Sequence, residues 1–143
     1  MTSAATLEIY NRPDTAPTSA DYMVTVNGEP VHVYDTEVAA FAMWGFAGTV
    51  EVRVAVRENH KDIVLRPWSA DVTVEWDGSV AVFSLDAPIH LCFDPPWQER
   101  KPLFLYANPL ERDKPDPDDP AVHFFAAGTI HEPGPITLGS NET

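Results

Sequence analysis

The chain is 143 residues long, enough for one domain or for one domain and the opening of a second. A hydrophobic share of 44% supports a sizeable core and excludes wholesale disorder. With 22 acidic against 9 basic residues the formal net charge is -13, which repels phosphate backbones and argues against nucleic acid and anionic membrane as partners.

Residues 1–19 carry Pro13, Pro17 and several Ser and Thr with little periodicity, and read as an extended N-terminal arm. No basic n-region or long apolar core is visible at the start, so no signal peptide is read. The compartment is then the cytoplasm, or a secreted setting with the leader removed and Met1 restored. From Asp21 the period becomes two. Tyr22, Val24 and Val26 share one face, Asn27-Gly28 supplies a turn with access to positive φ, and Val31 and Val33 begin the return strand. Residues 38–46 are the ambiguous segment, since Ala39, Ala40 and Ala42 favour a helix. Gly45 and the aromatics, together with flanking strands, favour a strand buried on both faces. Residues 49–57 are the plainest strand: Val50, Val52, Val54 and Val56 point one way, Glu51, Arg53 and Arg57 the other.

Residues 71–85 read as a hairpin. Val72, Val74 and Trp76 alternate with Asp71, Thr73 and Glu75, and Asp77-Gly78 is the expected two-residue turn before Val80 and Val82 return. Register is strongly specified there, because a slip of one residue would expose that whole set. Cys92 is the only cysteine, so no internal disulfide can form, and its apolar neighbours Leu91 and Phe93 suggest a buried structural thiol. Residues 111–120 are too polar and proline-rich to pack and form a loop. The 14 prolines are spread along the chain and disfavour long helices. Many short strands separated by Pro, Gly and Asp turns indicate an all-β antiparallel sandwich over residues 20–134.

Several pieces stand in a fixed order: Asp21-Tyr22 into Val26-Asn27-Gly28 with Val31, Val33 and Tyr34 following, residues 41–46 before the Val50 strand, Arg66-Pro67-Trp68-Ser69, Phe83-Ser84-Leu85-Asp86-Ala87-Pro88, the block from Pro102 to Pro109, Val122-His123-Phe124-Phe125, and His131-Glu132-Pro133-Gly134 before Ile136-Thr137-Leu138. In order and spacing they resemble the N-terminal β-sandwich domain of β-helix glycoside hydrolases, such as dextranase, isopullulanase and their polygalacturonase-like relatives. The resemblance implies a sandwich whose last strands hand the chain to the first coil of a right-handed β-helix, with residues 135–143 opening that coil or forming a tail. The rest of the helix is absent from this sequence. In that family the catalytic aspartates lie further downstream, so none is carried onto this chain. The implied partner is a β-helix catalytic domain, in the same or another chain, and the implied ligand is a poly- or oligosaccharide. The function implied is a non-catalytic module supporting the β-helix and its substrate cleft. The alternatives are a stand-alone carbohydrate-binding module, or part of a glycosidase active only with the remaining polypeptide. A sandwich parted from such a partner would leave apolar surface near Ile136, and a homo-oligomer is one way to cover it.

The remaining candidate chemistry is sparse. Asp116, Asp118 and Asp119 sit in the proline-rich loop with nothing to desolvate them, whereas a glycosidase acid needs burial or a like charge to raise its pKa. They also lack the glycine turn and bidentate glutamate of a calcium loop. His123, His131 and Glu132 are metal-capable types, but match no compact ligand spacing. No metal or other cofactor is expected. An exposed indole can stack on a sugar ring. Trp76 is in phase with valines and reads as core, as does Trp44, so Trp97 in its Pro-rich loop and Trp68 at a strand exit are the carbohydrate-binding candidates.

Overall fold

The computed structural model describes residues 4–57, 62–96 and 100–143. Among these the protein is all-β, with two sheets packed face to face and a single 3-10 turn at Trp68–Ala70. The strands in chain order are β1 Thr6–Glu8, β2 Tyr22–Val26, β3 Glu29–Val31, β4 Tyr34–Asp35, β5 Ala40–Ala47, β6 Val50–Val56, β7 Val64–Arg66, β8 Glu75–Asp77, β9 Val80–Leu85, β10 Ile89–Asp94 and β11 Leu103–Pro109. One sheet has the order β1-β5-β11-β10-β7, with β4 pairing on β5, and the other has the order β3-β2-β6-β9-β8. The pairings of named strands are antiparallel except β5 with β11, which run parallel.

The core lies between the sheets, and the period-two reading identifies most of it. Val50, Val52, Val54 and Val56 of β6 are all buried, with Tyr22, Val24 and Val26 of β2 beside them. From the facing sheet, β5 buries Ala40, Ala42, Trp44 and Phe46. Its parallel neighbour complements it in size: Leu103 lies opposite Ala40, Leu105 opposite Ala42, and Ala107 opposite Trp44. Large against small at each rung lets the layer fill without voids. The segment that could have been helical is therefore a strand, because pairing on both sides outweighs alanine's helix propensity. Its outer face is only half-buried at Phe41 and Met43, so the burial is complete on one side alone.

Two turns decide register. Asn27 (φ 50°) and Gly28 (φ 81°) both take positive φ between paired Val26 and Glu29, as a type I′ hairpin requires. In the second hairpin the turn is Gly78-Ser79, since Asp77 already pairs with Val80 and Gly78 has φ 61° at the first central position. The expected Asp77-Gly78 turn is thus displaced by one residue, and the returning face changes with it. Ala81, Phe83 and Leu85 enter the core, while Val80 and Val82 face outward and are half-buried. Trp76 lies opposite Ala81 and so on the inner side, yet β8 is a three-residue edge strand and the indole is 36% exposed rather than core.

The N-terminal arm is tied down in two places. β1 pairs with residues 45–47 of β5, and Thr18 bridges Tyr34, with Ser19 N–H donating to the Val33 carbonyl at 2.9 Å. The arm also passes His32, whose imidazole sits edge-on to Tyr34 at 4.4 Å with its Nε2 buried and unbonded. Desolvation, reinforced by the Arg12 charge, lowers the His32 pKa below its ordinary 6.5. The neutral ring is the form the fold accepts, so the stability it contributes is fully present above 6.5 and is lost as pH falls through the lower folded value. We expect the urea midpoint of the protein to drop between about pH 7.5 and pH 5.5, and His32→Gln to flatten that slope. An unchanged slope in the variant would remove His32 as the cause.

Candidate aromatic groove on the outer sheet face

Cross-strand partners point to the same face of a sheet, so the register of the β5-containing sheet lays out its outer surface row by row. One row runs from Tyr34 through Phe41, Phe104 and Cys92 to Arg66, each opposite the next on neighbouring strands. The next row holds Met43, Tyr106 and His90. The result is a belt of aromatic side chains on a face where an exposed sheet would carry charges. Tyr34 and Phe41 stack at 4.9 Å with their planes 13° apart, Phe104 and Tyr106 stand nearly parallel at 6.4 Å, and His90 meets Tyr106 edge-on at 5.0 Å.

At the β7 end the belt opens into a shallow groove of ≈490 Å³ floored by His90, Cys92, Phe104 and Tyr106 and walled by Arg66, Pro67 and Trp68. Trp68 is placed there by the 3-10 turn that follows β7, with Asp71 in the left-handed region (φ 52°) ending the turn. Its indole is 77% exposed. The Arg66 guanidinium lies 5.3 Å from the centre of that ring and is held on its other side by Asp94, Nε to Oδ2 2.9 Å. The ion pair is solvent-exposed and adds little stability by itself, but it orients the guanidinium over the indole. On the floor, His90 has its Nε2 3.4 Å from Asn108 Oδ1. Cys92 is half-buried on this outer face rather than in the core. Burial, with help from the Asp94 charge, pushes its thiol up to about 11, which keeps it protonated and unreactive at neutral pH.

Of the two carbohydrate-binding candidates, Trp68 is therefore part of a groove, and Trp97 lies outside the described residues. The groove's other aromatics, Phe104, Tyr106 and His90, were not singled out from sequence. A signal for them existed, because Phe104 and Tyr106 occupy the outward phase of a strand whose inward phase is already filled by Leu103, Leu105 and Ala107. The remaining candidates stay apart. Asp116 and Asp119 cap local turns by accepting from the backbone N–H groups of Asp118 and Ala121, both at 2.9 Å. His123 pairs with Glu142 at 2.8 Å, and this contact lowers the Glu142 pKa. His131 instead contacts Thr129 and the Phe125 ring. Among the described residues no group of three or more His, Cys, Asp and Glu side chains is arranged to hold a metal ion.

No family model and no curated protein sequence matches the chain. Among solved structures the fold is similar to that of Dex49A from Penicillium minioluteum, with a TM-score of 0.54 at 12% sequence identity. The similarity covers 82% of this chain and only 34% of that one, so this chain spans about a third of the length of the protein it resembles.

Proposed function

We propose that this chain is a non-catalytic β-sandwich module of a carbohydrate-active, glycoside-hydrolase-like β-helix enzyme. It packs against the β-helix, in the same or another chain, and shapes one side of the substrate cleft. The observation that carries this reading is the fold shared with Dex49A over most of this chain and a minor part of that one. The ordered sequence pieces, running through His131-Glu132-Pro133-Gly134 to Ile136-Thr137-Leu138, point the same way.

Two features of the chain support it. After β11 the described residues contain no further strand, and Phe124, Phe125, Ile130, Ile136 and Leu138 all stand exposed along the same segment. So many large apolar side chains on one exposed stretch suit a surface that docks on a partner. Glycoside hydrolysis, for its part, needs two carboxyl groups either about 5 Å or about 6.5–9.5 Å apart, one of them desolvated to act as acid. No aspartate or glutamate among the described residues is buried.

The test is an assay of this chain alone on dextran, pullulan and pectin. The expected result is no turnover above buffer, with activity requiring a β-helix domain supplied in the same or another polypeptide. Robust turnover by the isolated chain would overturn the proposal. A second reading, a stand-alone carbohydrate-binding module, is favoured by one observation, the exposure of Trp68 beside the groove.

A further inference from the structure

We propose that the outer-face groove beside Trp68 is a binding site for a neutral polysaccharide, with one hexose ring lying flat on the indole. The proposal rests on the carbohydrate-related reading above and deepens it by naming the ligand class and the place where it binds.

The first support is the arrangement of the aromatic surface. A hexose ring presents an apolar C–H face that packs on a flat aromatic surface, and its hydroxyls radiate outward at the ring edge. Trp68 offers such a surface at 77% exposure, and the Arg66 guanidinium at 5.3 Å occupies one side of it. At that exposure the indole keeps surface open to a ligand despite the guanidinium beside it. Because Asp94 fixes Arg66, less ordering is needed when a ring arrives, and pre-organisation of this kind raises affinity without new contacts.

The second support is the polar lining. His90 and Arg66 bring polar atoms to an otherwise apolar groove, each beside a polar partner, Asn108 and Asp94, and such a mixture is how pockets orient polar ligands. The volume of ≈490 Å³ falls within the range of about 300–1,000 Å³ typical of small-ligand sites, and suits a short stretch of sugar chain.

The third support is charge, which selects among glycans. The chain carries a net charge of -13, and Arg66 is already neutralised by Asp94 at 2.9 Å. A uronate polymer would meet overall repulsion with no free countercharge in the groove. A neutral hexose polymer meets neither obstacle.

The experiment is isothermal titration of the folded chain with neutral oligosaccharides derived from dextran, pullulan and cellulose, and with oligogalacturonate. It is run on the unaltered chain, Trp68→Ala, Trp68→Phe and Trp97→Ala, with sedimentation of each. Trp68 is exposed, so Trp68→Ala should keep the thermal midpoint of the parent, and Trp68→Phe retains an aromatic face if it does not. At least one neutral series is expected to bind, with Trp68→Ala weakening it by about tenfold or more and Trp68→Phe by clearly less. Oligogalacturonate is expected not to bind. The proposal is overturned if no neutral series binds, if binding survives Trp68→Ala unchanged, if only Trp97→Ala abolishes it, or if the anionic oligomer binds best. It is also overturned if Trp68→Ala breaks a dimer while no sugar binds, since the face would then belong to a second copy. None of these results involves turnover, so the groove can fail while the non-catalytic module stands. Hydrolysis by the isolated chain would sink the module and leave the groove to be judged by its own titration.

Discussion

Trp44→Ala is expected to destabilise the protein by about 3–5 kcal/mol, which is a large part of the roughly 5–15 kcal/mol that holds a typical domain together. Trp44 is fully buried in the middle of β5, with the small Ala107 opposite it on the parallel strand, so truncation opens a large void in that layer. Its Nε1 is nevertheless buried without a hydrogen-bond partner. The indole therefore pays a desolvation penalty of about 1–3 kcal/mol alongside its packing. Trp44→Phe removes that donor while keeping an aromatic ring in place, and should cost much less than Trp44→Ala. Chemical denaturation of both variants checks the pair. Equal losses would mean that the phenylalanine ring does not refill the site and that removing the unbonded N–H brings no relief.

Val54→Asp is expected to abolish folding under conditions where Arg53→Gln folds normally with a change within about 0.5 kcal/mol. Both residues lie in β6, the central strand of its sheet, between β2 and β9. Val54 is wholly buried, facing the opposite sheet, whereas Arg53 points to solvent and pairs with exposed Glu51, Nε to Oε1 2.9 Å. A carboxylate at position 54 would have to lose its hydration without any partner, at a cost of several kcal/mol even if it becomes protonated. Circular dichroism and solubility of the two variants are sufficient readouts. A folded Val54→Asp protein would show that β6 can flip its faces, which its pairing on both sides forbids.

The alternation of Val50 to Val56, the Asn27-Gly28 turn and the outward phase of Phe104 and Tyr106 are all legible in the chain, because they depend on the two-residue period of an extended backbone and on which residues tolerate positive φ. These local rules were enough to establish an all-β sandwich and to place Trp68 at a strand exit, while its 77% exposure comes from the structure. They were not enough to choose between Asp77-Gly78 and Gly78-Ser79, since both pairs suit a tight hairpin. The choice is made by Phe83 and Leu85, which fill the space against the facing sheet better than Val80 and Val82 would. Likewise nothing local announces that β5 and β11, some sixty positions apart, lie parallel and in register. That pairing sets Phe41 beside Phe104, and the β10 and β7 pairings then bring Cys92 and Arg66 into the same row. The strand content and the core-facing phase of most strands were thus properties of the sequence itself, whereas the groove exists only through non-local strand pairing. A strand's own residues specify which side is apolar, but only closure of the sandwich decides which strands become neighbours.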